Sequence, residues 1–185
     1  VEELLSLADP QVQDLWRDLR LGYTESSGHP LLRAEISRLH LSVGPEDVLE
    51  AAPEEAILLA MHALLRPGVR VIVLSPAYQS LYAVARSIGC EIVPWPVEVS
   101  AGRWTVNLDR LEELLPGARL LVVNFPHNPT GFLPSRTEFE RIVDLVERHA
   151  VALFSDEMYR MLERDPADRL PAACDLSPRA VSLSG

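Results

Sequence analysis

A chain of 185 residues that is 48% hydrophobic can bury a sizeable core, so it is globular rather than disordered. Its net charge of −10, from 27 acidic and 17 basic residues, argues against nucleic acid as a partner, because such a partner needs a basic face. No apolar run reaches membrane-spanning length, so no membrane partner is expected, and the first residues do not read as a signal peptide. Cys90 and Cys174 are too few and too unpatterned for a disulfide framework or a metal site, so a reducing cytoplasm is the expected compartment.

Apolar residues at helical spacing open the chain: Leu4, Leu5 and Leu7, then Val12, Leu15, Trp16 and Leu19. Asp9-Pro10 divides them, with the aspartate suited to cap the second helix and the proline to begin it. Gly22 to Gly28 is small and polar, a loop that carries Tyr23. Leu32, Ile36 and Leu39 predict an amphipathic helix from Pro30 to Leu41.

Asp47 to Ala51 predicts a short strand, and Pro53 starts a helix to about Leu65. A strand running straight into a helix start is a ready anion site, because free amides and the positive dipole end face the ligand. Ala52, Pro53 and Glu54 occupy that turn. Pro53 removes one donor and Glu54 adds a negative charge, features that equally suit a plain first helical turn.

Val69 to Leu74 predicts a buried strand leading to Ser75-Pro76-Ala77-Tyr78, with a helix onward to Ser87 that Gly89 stops. Cys90 to Trp95 reads as a strand near a sheet edge, because Pro94 and Pro96 cannot donate to a ladder on both sides. Val97 to Val106 predicts a hairpin-like loop around Gly102, and Leu108 to Leu115 a short helix closed by Pro116-Gly117.

Leu120 to Val123 is a wholly apolar run that suits a strand buried on both faces. It meets Asn124-Phe125-Pro126-His127-Asn128-Pro129-Thr130-Gly131, a rigid amide-rich loop. Ligands of open α/β sheets bind at such strand ends. Ser135 with Glu138 predicts a capping box for a helix from Arg136 to His149. Val151 to Phe154 is the next buried strand and ends in Ser155-Asp156-Glu157-Met158-Tyr159. Residues from Leu162 to Pro178 are irregular, and Val181 to Gly185 begins one more strand.

This βαβα succession predicts a three-layer α/β/α fold with a mainly parallel sheet. No Gly-x-Gly-x-x-Gly follows a strand, so the dinucleotide-binding fingerprint is missing.

The Asn128-Pro129-Thr130-Gly131 loop, Ser155-Asp156-Glu157-Met158-Tyr159, the Tyr23 loop, the Pro53 turn and Ser75-Pro76-Ala77-Tyr78 fall in one order along the chain. In that order they resemble the class I/II aminotransferases, pyridoxal-phosphate (PLP) enzymes of fold type I. The resemblance implies a PLP cofactor, amino-acid and 2-oxo-acid substrates, and a homodimer in which Tyr23 reaches the neighbouring subunit's cofactor phosphate. It assigns the phosphate turn to Ala52, Pro53 and Glu54, ring stacking to Tyr78, and the pyridine nitrogen to Asp156. The ring 3-oxygen falls to Asn128 and Tyr159, and Ser182 joins the cofactor-binding set. Cis bonds at Ser75-Pro76 and Asn128-Pro129 are also implied.

One feature departs from the family. All 17 basic residues are arginine, so the chain holds no lysine for a Schiff base. Ser182-Leu183-Ser184-Gly185 resembles the opening of the family's lysine segment. The expectation is that the lysine lies beyond Gly185; the alternative is that Gly185 replaces it. On this reading residues 1–40 are N-terminal helices and an interface loop, residues 41–185 are part of the PLP-binding large domain, and a small C-terminal domain is absent. A PLP lyase or amino-acid cyclase on the same fold, and a cofactor-free homologue with an assembly role, compete with the aminotransferase reading.

Overall fold

The computed structural model describes residues 2–185. Helices α1 (Glu2–Ser6) and α2 (Pro10–Arg17) follow the expected apolar spacing, and Asp9 caps α2 by accepting the Val12 amide at 2.9 Å. Neither helix buries a residue, and Leu4, Leu7, Trp16 and Tyr23 all stay exposed. Helix α3 (Pro30–Ser37) is shorter than its periodicity suggested.

The strand expected at residues 47–51 does not form. Pro45–Asp47 makes a 3₁₀ turn instead, in which the Asp47 carboxylate accepts the Gly44 amide at 3.0 Å. Beyond it the Glu50 amide finds the Ser27 carbonyl at 3.0 Å, a loop partner rather than a strand. Apolar content alone could not supply the neighbour that a strand requires.

The rest of the chain builds a six-stranded sheet. Helix α4 (Pro53–Leu64) leads to β1 (Arg70–Ser75), then α5 (Ser80–Ile88), β2 (Glu91–Ser100) and β3 (Arg103–Val106). Helix α6 (Leu108–Leu114), β4 (Ala118–Asn124), α7 (Arg136–Arg148), β5 (Ala152–Asp156), α8 (Ala173–Leu176) and β6 (Ala180–Leu183) complete it. The order is β3-β2-β1-β4-β5-β6, and every pairing is parallel except β2 with β3. The predicted loop at 97–106 is therefore a paired hairpin, turning at Ala101 and Gly102, which both take positive φ.

Strand β2 shows how its prolines are tolerated. The Glu91 amide donates toward β1, to the Val69 carbonyl at 2.9 Å. By the two-residue alternation, the nitrogens of Pro94 and Pro96 face away from β1. Strand β3 pairs only from Val97 onward, so no ladder bond is lost there.

Alternation also divides the core. Val71, Val73, Leu120, Val122, Phe154 and Leu183 pack on one face against α4 and α5, through Ile57, Met61, Leu81 and Ala85. Ile72, Leu74, Trp95, Leu121, Val123 and Leu153 pack on the other against α6 and α7. Each fully buried aliphatic or Phe side chain contributes roughly 1.5–3 kcal/mol. Helix α7 starts on the expected capping box: Ser135 Oγ accepts the Glu138 amide and Glu138 Oε2 accepts the Ser135 amide.

The sheet runs outward from β1 to β3 and then returns to β4 on the other side of β1. That reversal leaves a crevice at the carboxyl ends of β1 and β4, where ligands of open α/β sheets settle. The Tyr78 and Asn128 loops flank it.

Candidate functional site

Asn124 organises the loop at the end of β4. Its side-chain nitrogen donates to the Asp156 carbonyl at 2.9 Å, and its Oδ1 accepts the Asn128 amide at 2.6 Å. One buried side chain thus ties the Asn128 loop to the end of β5. The peptide bonds before Pro76, Pro126 and Pro129 are all cis, two of them as the resemblance implied.

Asp156 ends β5 on the α4 face and is 4% exposed. Its Oδ1 accepts the Met158 amide at 3.2 Å, and its Oδ2 has no hydrogen-bond partner among the described residues. Burial pushes its carboxyl above the ordinary value, and the nearby Glu54 carboxylate pushes it further. The cationic partner that such a carboxylate calls for is absent among the described residues.

Tyr78 donates its hydroxyl to Glu54 Oε1 at 2.7 Å, joining the β1 loop to the first turn of α4. Hydrogen bonds from Ser80 and Tyr78 hold Glu54 below the ordinary carboxylate value, and the bond to Glu54 raises the Tyr78 phenol. Tyr159 lies close enough to act on Tyr78 electrostatically. The rings of Tyr78 and Tyr159 are both half-exposed, and neither the Tyr159 hydroxyl nor the Asn128 side-chain amide is bonded to a described residue. Glu54, Tyr78, Asp156 and Tyr159 therefore lie near one another, and the Asn128 loop is tied through Asn124 to the strand end that carries Asp156.

The sequence matches the family Aminotransferase class I and II over residues 12–183. This chain belongs to that family. Arginine–pyruvate transaminase AruH of Pseudomonas aeruginosa is 32% identical over 203 residues, covering 98% of this chain and 51% of that protein. The uncharacterized HTH-type transcriptional regulator YjiR of Escherichia coli is 26% identical, over 95% of this chain and 41% of its own length. A solved PLP-dependent aminotransferase from Streptococcus suis superposes on the whole chain with a TM-score of 0.87 at 30% identity, through 50% of its own chain. The chain spans about half the length of the curated relatives it matches. Its fold is the fold type I of aminotransferases.

In this aminotransferase-family chain one of the expected residues, Ser182, sits away from Asp156. Ser182 lies beside Leu183 in β6, so it faces the opposite side of the sheet from Leu183 and Phe154. Its hydroxyl donates to Glu157 Oε1 at 2.8 Å and accepts the Cys174 amide at 3.1 Å. Ser182 thus fastens α8 to the sheet rather than joining Asp156. Tyr23 is fully exposed and bonds to no described residue.

At the helix turn, Ala52 is the residue before α4 and offers no side-chain cap, while Pro53 has no N–H. The amides of Glu54 and Glu55 remain without partners among the described residues, since the first α4 bond runs from Ala56 to Ala52.

His127 is a site-forming residue that motif reading passed over. It is 2% exposed, with Nε2 at 2.8 Å from the Pro76 carbonyl and Nδ1 at 2.6 Å from Thr130 Oγ1. A carbonyl only accepts, so Nε2 carries the proton and Nδ1 accepts from Thr130. Burial lowers its pKa, which keeps the ring neutral. This one tautomer latches the β4 loop onto the β1 loop. A polar residue between two prolines in an otherwise tight loop was the only signal for it.

Proposed function

We propose that this chain is the cofactor-binding portion of a PLP-dependent aminotransferase that moves an amino group between an amino acid and a 2-oxo acid. The observation that carries the reading is Asp156, a buried carboxylate with one open oxygen and no cationic partner among the described residues, near the Asn128 loop and Tyr159, whose side-chain hydrogen-bonding groups bond to no described residue. A flat cationic heterocycle with an adjacent oxygen matches that donor and acceptor set. When bound, PLP supplies an electron sink for chemistry at an amino acid's Cα.

The residues present fit the ring end of this cofactor. Asp156 would hold a protonated ring nitrogen, and the missing countercharge would then be supplied by the ligand. The Asn128 amide and the Tyr159 hydroxyl would hydrogen-bond the ring oxygen. The Tyr78 ring, braced by Glu54, would cover one face and exclude water from it. The phosphate end would rest on the Glu54 and Glu55 amides at the positive end of α4. There the Glu54 carboxylate works against an anion, and its hydrogen bond to Tyr78 turns its charge toward the phenol.

The α4 turn, where Pro53 offers no amide and Glu54 carries a negative charge, favours a second reading, a cofactor-free homologue with an assembly role. Titration of the full chain with pyridoxamine 5′-phosphate, which needs no lysine, separates the two. Saturable binding that weakens in Asp156→Asn and Tyr159→Phe is expected. No binding, or binding indifferent to both substitutions, refutes the cofactor reading. Incubating the loaded chain with 2-oxo acids then tests the transfer, with mass detection of amino-acid product. Release of ammonia or of a side-chain fragment when the protein is given PLP and amino acids would instead indicate a lyase.

We further place the protein in the cytoplasm as a homodimer. Both cysteines are free, as a reducing compartment requires. The exposed Leu4, Leu7, Leu15, Trp16, Leu21 and Tyr23 form an apolar N-terminal arm that a second copy would cover. Sedimentation of the full chain and of Trp16→Glu tests this: the wild type should sediment as a dimer and the variant as a monomer.

A further inference from the structure

We propose that His40, Cys174 and Asp175 form a zinc site, separate from the Asp156 crevice, that clasps the segment after α3 to α8 at the edge of the sheet. The three residues come from places 134 positions apart. His40 Nδ1 lies 3.6 Å from Cys174 Sγ and 3.6 Å from Asp175 Oδ2. All three donor atoms lie within 4.8 Å of one another. The His40 and Asp175 side chains are only 8% and 4% exposed.

A thiol–imidazole hydrogen bond accounts for only one of these contacts. The imidazole nitrogen faces a thiol and a carboxylate oxygen at equal distance, and 3.6 Å to the oxygen is too long for a hydrogen bond. One lone pair or one N–H cannot serve both. A point between the three atoms can. Zinc bonds of about 2.3 Å to sulfur and 2.0–2.2 Å to nitrogen and oxygen, at tetrahedral angles, put ligand atoms roughly 3.3–3.6 Å apart. The two spacings from His40 match the edge of that tetrahedron, and the third lies within 4.8 Å.

The donor set also selects the metal. Thiolate with imidazole excludes calcium and magnesium, which take oxygen ligands. One thiolate, one carboxylate and a neutral imidazole cancel the charge of a divalent ion, as a sheltered site needs. Three protein ligands leave a fourth position for water.

The ligands are already held from behind. Asp175 Oδ1 accepts the Leu41 amide at 2.7 Å and the Ser42 amide at 3.0 Å, which turns Oδ2 toward His40. The Cys174 amide is fixed on Ser182 at 3.1 Å, and Ser42 Oγ reaches the Cys174 carbonyl at 3.0 Å. Such outer bonds orient metal ligands in general. Sequence reading could not find this site, because no two of its ligands form a spaced motif.

The test uses the purified full chain, loaded with Zn²⁺ or Co²⁺ and dialysed, beside Cys174→Ser and His40→Gln. One metal per chain is expected. The Co²⁺ form should show a tetrahedral ligand-field spectrum with a thiolate charge-transfer band. Cys174→Ser should lose that band, and both variants should lose more than about 100-fold in affinity, because an outer-shell partner alone is worth about 10–100-fold. Zinc at a hundredfold excess over Kd should raise the wild-type Tm by roughly 5–10 °C.

Metal uptake well below one per chain, or a Co²⁺ spectrum without the thiolate band, overturns the site and leaves a cluster of packed polar groups only. So does binding that survives both substitutions, which would place the ion on surface histidines. If a variant fails to fold, the wild-type Co²⁺ spectrum still decides, because the other thiol, Cys90, is buried on the far side of β1 among Arg66 and Ala85.

Discussion

Replacing Asp156 with asparagine should stabilise the unliganded chain while weakening the crevice as a binding site. Asp156 is 4% exposed, accepts one amide at 3.2 Å and feels the Glu54 carboxylate, with no cation beside it among the described residues. A buried ion costs several kcal/mol after relaxation. One amide hydrogen bond offsets part of that here. Asparagine has the same shape, keeps the Oδ1 acceptor for Met158, and can turn its NH₂ toward Glu54. The net gain expected is about 1–2 kcal/mol, the usual size for relieving a functional site. For a chain of this length that is a Tm rise of roughly 3–6 °C.

The pH dependence fixes the cause. The folded-state pKa of Asp156 lies above its ordinary value of 3.8. The folded chain therefore holds this proton over a range in which the unfolded chain has released it. The aspartate destabilises the fold progressively as pH rises through that range. The advantage of the asparagine variant should be near zero below the ordinary value of 3.8 and should grow as pH rises above it. Urea melts of both proteins across this range measure it. An asparagine variant less stable than wild type at neutral pH, or a gain that does not change with pH, would refute the argument that Asp156 is an uncompensated charge.

His127→Phe should cost about 2–3 kcal/mol in urea melts, because the Pro76 carbonyl and Thr130 lose buried partners. The folded pKa of His127 is depressed, so its contribution is complete above the unfolded value of 6.5 and declines as pH falls below it. The wild type should therefore lose stability in that window, and His127→Phe should lose less there. Glu54→Gln keeps the acceptor for Tyr78 but removes a negative charge from the α4 turn. Titration with pyridoxamine 5′-phosphate should give severalfold tighter binding, and weaker binding would mean that Glu54 contributes as a carboxylate. Leu121→Ala, in the dry centre of β4, should lower stability by about 2–5 kcal/mol in the same melts.

The sequence by itself determined the alternation of elements and the address of the crevice. Leu120–Val123 and Val151–Phe154 are too apolar to lie anywhere but inside a sheet, and Asn124 and Asp156 follow them directly, so strand ends carrying polar groups were legible. Tertiary structure alone decided which way those groups face. Ser182 and Leu183 are neighbours, yet strand alternation sends the serine to Glu157 and the leucine to the Phe154 face. Residues 47–51 had the composition of a strand but no neighbour to pair with. His127 and Pro76, Glu54 and Tyr78, and His40 and Cys174 meet across 51, 24 and 134 positions. Local propensity follows from bonds between near residues and is written along the chain. Contacts across such distances exist only after the sheet has set its strand order, and that order is a property of the whole fold.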